Sequence, residues 1–228
     1  MLFHKLIRPN ENSKSRLHDG KGTLVSFDRA IFNGPKALVS YLNFKIFGSR
    51  PKRPWISYDA EKIIAAFLAS TRCAVLEFGS GMSTLWFAQR AETVCSVEHD
   101  KNWYDILSTK LSAANHYPAK IDYQYRSDML TYANFRSNEN ERFDVLLVDG
   151  PWRAECLRHH MHLVRNGGLI YLDNTDAESS SGEAGELDQA IQLLLDFAKS
   201  RDAKVTWFTD FVPTCLFVSQ GLMVELPK

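Results

Sequence analysis

The sequence has no apolar run that approaches the ~18–20 residues a membrane-spanning helix needs. It also has no N-terminal stretch long and apolar enough for a secretory signal peptide. Its four cysteines are widely spaced and form no C-x-x-C motif, which disfavours a disulfide framework or a thiolate metal site. Together these absences predict a cytoplasmic protein without a transmembrane segment, in which the cysteines are buried thiols.

The composition is that of an ordinary globular protein. Of the 228 residues, 45% are hydrophobic and 24% are charged, which excludes collagen-like, coiled-coil and wholly disordered proteins. The length suits one sizeable domain, with or without an N-terminal extension.

The formal net charge of zero hides a division of the chain. Residues 1–60 carry eleven Lys or Arg against four Asp or Glu, a net of +7, and the remainder carries a net of −7. We therefore distinguish a basic N-terminal extension, 1–58, from an acidic domain, 59–228. Such an extension can bind an anionic partner. Because its positive charges are scattered, we favour a solvated arm that pairs with its own domain.

The extension contains one short helical pattern. Residues 1–29 are polar and irregular, so partial order at best is expected there. A helix is predicted at 35–47, because Pro35 suits a first helical position and because the apolar side chains of this segment share one face: Leu38, Tyr41, Leu42 and Ile46. A helix docked on the domain is favoured over a lid or a membrane-surface helix.

From residue 74 onward, short apolar segments alternate with helical patterns. Such alternation is typical of an α/β fold with a doubly wound, mostly parallel sheet. The last two strands are joined by too few residues for a crossover helix, so the final strand is expected to be antiparallel. The seven predicted strands are 74–78, 93–98, 121–125, 143–148, 169–172, 205–208 and 214–218.

Ligands of such sheets bind beyond the carboxyl ends of the strands. The first predicted strand ends in Gly79-Ser80-Gly81, where the missing side chains let a ligand approach the backbone. Thr84 stands where a dinucleotide-binding loop has its third glycine, which argues against nicotinamide or flavin. Glu98 ends the next strand and can accept hydrogen bonds from both hydroxyls of a ribose. The loop and the carboxylate together indicate a nucleoside ligand, whereas the loop alone fits an ordinary strand-to-helix turn equally well.

Over about residues 74–220, five short segments in this order resemble the class I S-adenosylmethionine-dependent methyltransferases: LEFGSGMSTLWFA, SVEHDKNWY, RSDML, FDVLLVDGPWR and NGGLIYLDN. The resemblance implies a Rossmann-like sheet of seven strands with an antiparallel end, and S-adenosylmethionine as cofactor. It implies that the cofactor contacts Glu77, Gly79, Ser80 and Gly81 at its methionine side, Glu98 at the ribose, His99, Ser127 and Asp128 at the adenine, and Asp149 near the sulfonium. Trp152 is a candidate to stack on the adenine or to wall the substrate pocket.

A third group of polar residues follows two later strands. Asp149, Asp173 and Asn174 offer two carboxylates and an amide oxygen, which suit Mg²⁺ with retained waters. The arrangement resembles the catechol-type, metal-dependent O-methyltransferases, in which the metal orients a substrate hydroxyl. Those enzymes carry a Lys base shortly after the first Asp, and this chain has none there. Three possibilities stay open: the metal alone activates the acceptor hydroxyl, another base such as His99 does, or the site holds no metal. Asp149 and His99 are the candidate catalytic residues.

These features predict a methyltransferase that acts on an oxygen of a small hydroxylated acceptor. An aminopropyltransferase-like enzyme is one alternative, because it shares the sheet and the ribose carboxylate. A non-catalytic nucleotide-binding or scaffold domain with a basic arm is another. No motif of a nucleic-acid-reading module is present, and the oligomeric state is left open.

Overall fold

The computed structural model describes residues 14–70, 72–113, 117–138, 140–177 and 185–228. Its centre is a seven-stranded sheet whose strands are β1 (Ala74–Phe78), β2 (Thr93–Glu98), β3 (Lys120–Tyr125), β4 (Phe143–Val148), β5 (Val164–Leu172), β6 (Lys204–Phe211) and β7 (Val218–Glu225). The strand order is β3-β2-β1-β4-β5-β7-β6, with the first five strands parallel and β7 antiparallel to both of its neighbours. The prediction of a doubly wound, mostly parallel sheet with an antiparallel end is confirmed.

Helices cover both faces of this sheet. Within the described residues they are α1 (Phe27–Phe47), α2 (Tyr58–Ser70), α3 (Met82–Ala88), α4 (Lys101–Ala113), α5 (Met129–Ala133), α6 (Arg153–His160) and α7 (Glu186–Ser200), with a 3-10 turn at Met161–Leu163. The central strands are apolar on both faces because each face packs against helices. Leu76 and Leu146 face one core cluster, and Val75 and Val145 face the other. No helix within the described ranges is both long enough and apolar enough to span a bilayer.

Three strand predictions are wrong at one or both ends by three residues or more. The sixth strand is Lys204–Phe211 rather than 205–208. The last strand is Val218–Glu225 rather than 214–218. Ser219 and Gln220 make the start of this buried strand look polar in the sequence. Both can be buried because their side chains are hydrogen-bonded inside the protein. The fifth strand begins at Val164 rather than 169, and the glycine pair at 167–168 lies within it. The register against β4 shifts beside this pair, so an irregularity in the strand accommodates the glycines.

The helix of the N-terminal extension is also longer than predicted. It begins at Phe27, and Pro35 lies inside it rather than at its start. Proline leaves the carbonyl of Ile31 without its helical partner. Both Pro35 and Ile31 lie on the exposed side of the helix, where water satisfies such a carbonyl. The interruption therefore costs less than it would in a buried helix.

The extension packs on the end of the sheet that carries β6 and β7. Asp19 is fully buried, although residues 1–29 were expected to be irregular, and its carboxylate accepts hydrogen bonds from Thr209 and Gln220. On α1, Asn33 donates to the carboxylate of Asp210 at 3.0 and 3.1 Å. The part of the extension before residue 14 lies outside the described residues.

Candidate functional site

The carboxyl ends of β1, β2, β4 and β5 bring the sequence-predicted residues to one edge of the sheet. The turn after β1 forms the centre of this edge. Gly79 has a φ of +89°, a conformation that a side chain disfavours. Its amide donates to the Val97 carbonyl of β2 at 3.1 Å, and a Cβ at this position would lie 2.6 Å from the Gly150 nitrogen. The glycine is required here because two strand tips meet at van der Waals distance.

Glu98 organises the same turn from the tip of β2. Its side chain is almost completely buried, and Oε2 accepts hydrogen bonds from the amide of Ser80 at 3.1 Å and its hydroxyl at 2.8 Å. Oε1 accepts from the amides of His99 and Asp100, both at 2.8 Å. His99 Nδ1 also lies 3.0 Å from Oε1. Of these five partners, the Ser80 hydroxyl and the His99 ring are side-chain groups that can turn away and leave the carboxylate to a ligand.

Glu77 lies inside β1 and is fully buried. Its Oε2 accepts hydrogen bonds from Thr84 at 2.5 Å and Ser96 at 2.6 Å, while Oε1 has no partner among the described residues. Thr84, which replaces the third glycine of a dinucleotide loop, thus anchors this carboxyl group. Burial raises the pKa of Glu77 to about 7. A buried carboxylate oxygen without a donor is costly, so the ionised form of Glu77 suits a ligand that brings a donor or a positive charge.

The raised pKa of Glu77 gives a pH dependence of stability. The folded protein keeps a proton on this group that the unfolded chain, with the ordinary value of 4.5, releases as the pH rises towards 7. The contribution is therefore fully present below about pH 4.5 and is lost as the pH rises through 7. In urea titrations between about pH 5 and pH 8, we expect the free energy of unfolding to fall less in Glu77→Gln than in the wild type. Equal pH slopes for the two proteins would contradict the assignment.

An aromatic wall faces this turn from α5 and the loop after β4. The Tyr132 ring lies 5.4 Å from Trp152 and 6.2 Å from His99, between ring centroids. Tyr132 is fully buried, yet its hydroxyl has no partner among the described residues. A Cβ on Gly150 would lie 2.1 Å from that oxygen. Sequence reasoning missed Tyr132, because the five-residue helix that carries it is too short to show a periodic pattern.

The unpartnered hydroxyl predicts an unusual response to its removal. We expect Tyr132→Phe to leave the free energy of unfolding unchanged or to raise it by up to ~1 kcal/mol, because no hydrogen bond is lost and a buried polar group is removed. The matched control is Tyr171→Phe, whose hydroxyl donates to Asp173 at 3.1 Å. That variant is expected to lose about 1–2 kcal/mol. Thermal or urea unfolding measures both, and a clear destabilisation by Tyr132→Phe would show that its hydroxyl is bonded.

Asp149 and Asp173 come together after β4 and β5. Burial raises the pKa of Asp149 to about 6, against the opposing effects of Arg153 and of a hydrogen bond with Asp173. Burial, with the charge of Asp149 in addition, raises the pKa of Asp173 well above its usual range. Arg153 fastens the pair: it donates to the carbonyls of Gly150 and Asp173, both at 3.0 Å, and lies 3.9 Å from the carboxylate of Asp149. The pair therefore retains a proton near neutral pH.

Asn174, the third residue of the predicted magnesium set, has its amide turned to another strand. Its φ is +49°, and Nδ2 donates to the Ser219 hydroxyl of β7 at 3.2 Å. In the described part of the chain, no group of three or more His, Cys, Asp or Glu side chains is placed to hold a metal ion. Moreover, Arg153 already supplies a positive charge beside Asp149. The donor set fits Mg²⁺ only in part.

The predicted adenine residues lie on the open side of the site. Asp128 and Ser127 are exposed. The Asp128 carboxylate caps α5 by accepting from the amide of Thr131 at 2.9 Å and from its hydroxyl, and these bonds lower its pKa. The His99 side chain is 44% exposed, so its ring is accessible. The structure thus brings the predicted ribose, methionine and adenine residues to one continuous edge.

Comparison with known proteins identifies the architecture. No protein-family model matches the chain, and no curated protein matches it in sequence. Among solved structures, it is similar to the O-methyltransferase TomG from Streptomyces achromogenes in complex with S-adenosylmethionine, with a TM-score of 0.60 and 14% identity over 84% of this chain and 89% of that one. It is also similar to an O-methyltransferase from Bacillus cereus in complex with S-adenosylhomocysteine, with a TM-score of 0.59 and 17% identity over 84% and 90%. The chain therefore has the Rossmann-like fold of the class I S-adenosylmethionine-dependent methyltransferases.

Proposed function

We propose that this protein is an S-adenosylmethionine-dependent methyltransferase that transfers the methyl group to an oxygen of a small hydroxylated acceptor. The observation that carries the proposal is the contact between the turn after β1 and Glu98. The buried Glu98 carboxylate accepts a hydrogen bond from the backbone amide of Ser80 in that turn. Similar solved proteins with this fold are described as O-methyltransferases bound to S-adenosylmethionine or S-adenosylhomocysteine. We infer the same cofactor for this chain.

The residues present fit this cofactor. The Glu98 carboxylate would accept hydrogen bonds from the ribose hydroxyls, which would replace the Ser80 hydroxyl and the His99 ring as its partners. The unpartnered oxygen of Glu77 suits the cationic amino group at the methionine end. When bound, the cofactor supplies an electrophilic methyl group on a sulfonium. The carboxylates around the site favour that positive charge.

Asp149 is the group we assign to the acceptor proton. Its side chain is 36% exposed, unlike that of Asp173, so an acceptor hydroxyl can reach it. Because the pair holds one proton near neutral pH, one of its two carboxyl groups stays ionised, and Asp149, the more exposed of the two, can take the acceptor proton. Arg153 holds the loop that carries Asp149 and moderates its negative charge. His99 is the second candidate base, because its ring is exposed at the same edge.

The proposal is tested by incubating the full chain with methyl-labelled S-adenosylmethionine and a panel of hydroxylated, amine and RNA acceptors. Label transferred to a hydroxylated acceptor, and reduced on Asp149→Asn, is the expected result. Binding of the cofactor without transfer to any class of acceptor would support a non-catalytic domain instead. Transfer to amines or RNA alone would overturn the assignment to an oxygen acceptor.

The magnesium hypothesis is tested in the same assay. If Asp149, Asp173 and Asn174 hold Mg²⁺ beside the acceptor, a chelator is expected to lower turnover by about tenfold or more, because the metal would make the acceptor hydroxyl more acidic and orient it. Added Mg²⁺ would then restore it. Turnover that is insensitive to chelator would contradict the magnesium hypothesis and leave the cofactor proposal intact. Arg153 would then be the only cation that the described residues place beside Asp149.

A further inference from the structure

Helix α1 exposes an apolar face that the methyl-transfer site does not use. Of the large hydrophobic side chains exposed in the described residues, more than half lie between residues 24 and 47. Phe27, Phe32 and Ile46 are 81%, 68% and 66% exposed. Contiguous exposed apolar surface on this scale marks an interaction site in most proteins.

The exposed side chains share one side of the helix. Five of them recur at intervals of four or seven residues, and two more widen the stripe: Phe27, Ile31, Leu38, Leu42 and Ile46, with Phe32 and Val39. The buried residues of the helix, Asn33 and Ala37, lie on the opposite side and pack toward the sheet. The helix is therefore held by one face and presents its apolar face outward.

The charges carried by this segment are almost all positive. Residues 27–53 contain six Lys or Arg and one acid, Asp28. Arg29 and Arg53 pair with acids of α2. The other four are exposed and have no ion pair to a carboxylate in the part of the chain that the structure describes: Lys36, Lys45, Arg50 and Lys52. An outward apolar stripe flanked by such bases is the pattern of a helix that lies in the interface of an anionic membrane.

We propose that α1 docks the protein on the surface of an anionic phospholipid bilayer, with its apolar stripe at the boundary between headgroups and acyl chains and its bases among the headgroups. The division of charge supports this occupant: the basic extension would be attracted to the surface and the acidic remainder would be repelled. A second copy of the chain is a poorer occupant, because a twofold contact through α1 would bring two strongly basic segments together.

The position of α1 gives the docked protein an orientation. Asn33 of the helix contacts Asp210 near the carboxyl end of β6, and β6 runs parallel to β5 because β7 is antiparallel to both. The helix therefore lies at the same edge of the sheet as Glu98 and Asp149. Docking would hold that edge toward the bilayer, although the docking proposal does not depend on methyl transfer.

The test is sedimentation of the full chain with vesicles of phosphatidylcholine alone or mixed with phosphatidylglycerol. We expect binding to the anionic vesicles that weakens with added salt. It should fall roughly tenfold or more in Phe32→Gln/Ile46→Gln, because two exposed apolar anchors are lost. The matched control, Ile106→Gln/Val205→Gln, alters exposed apolar residues elsewhere and should bind as the wild type does. Lys45→Gln/Lys52→Gln should weaken binding to anionic vesicles only.

Three results would overturn the proposal. The first is no sedimentation of the wild type with anionic vesicles at low salt. The second is equal binding by wild type and Phe32→Gln/Ile46→Gln, with circular dichroism showing both folded. The third is a wild-type protein that does not bind vesicles but forms a dimer in light scattering, with the dimer lost in Phe32→Gln/Ile46→Gln. That result would assign the stripe to contact with a second copy of the chain.

Discussion

Glu98→Gln is expected to weaken the binding of S-adenosylhomocysteine by roughly 10- to 150-fold, which corresponds to about 1.5–3 kcal/mol for a hydrogen-bonded charge. The amide keeps the shape of the carboxylate but replaces one acceptor oxygen with a donor. Both oxygens of Glu98 face backbone amides, those of Ser80 on one side and of His99 and Asp100 on the other. In either orientation, the new NH₂ group meets a donor, so the turn and the ribose site are both disturbed. Titration calorimetry measures the change.

The control for Glu98 is a carboxylate of similar burial elsewhere. Glu61 lies on α2, and Glu61→Gln removes a buried charge whose Oε2 lies 2.6 Å from Nη2 of Arg53. It should lower the free energy of unfolding without changing the affinity for the nucleoside ligand. Equal affinities for the wild type and Glu98→Gln would remove the ribose assignment, because the carboxylate could not then be part of the ligand site.

Gly79→Ala is expected to have the largest effect on stability, a loss of about 2–5 kcal/mol. Positive φ strain contributes on the order of 1–2 kcal/mol. Forced contact in a packed region adds about 1–3 kcal/mol. The new Cβ would meet backbone atoms, the nitrogen of Gly150 at 2.6 Å and the carbonyl carbon of Asp149 at 2.8 Å, which cannot turn aside as a side chain can. The tips of β1 and β4 would separate, so cofactor binding should be lost as well.

Gly48→Ala separates the two contributions. Gly48 ends α1 with a φ of +62°, and a Cβ there has no atom within 4 Å. It should therefore show the backbone strain alone, about 1–2 kcal/mol. Urea unfolding of both variants gives the difference directly. If Gly79→Ala costs no more than Gly48→Ala, the strand tips are not in the close contact described above.

The sequence predicts the sheet well because the strands that build it are apolar on both faces. The segments 74–78, 93–98 and 143–148 match the observed strands at both ends. Since parallel strands share one carboxyl edge, the residues that follow them could be grouped without coordinates. That reasoning brought Glu98, Asp149 and the turn at Gly79 together correctly.

The parts that sequence reasoning missed depend on tertiary contacts. The start of β5 was hidden by glycines that usually end a helix. The buried part of β7 was hidden by Ser219 and Gln220, whose partners lie on remote segments. The orientation of Asn174 toward Ser219 and the unpartnered hydroxyl of Tyr132 also arise from packing between distant residues. No local pattern carries this information.

The most direct test of the nucleoside site is a crystal structure of the full chain with S-adenosylhomocysteine. The ribose hydroxyls should lie on the Glu98 carboxylate, with the Ser80 hydroxyl displaced and the amino group of the ligand close to Glu77. A ligand bound at another edge of the sheet, with Glu98 still holding the Ser80 hydroxyl, would contradict the account.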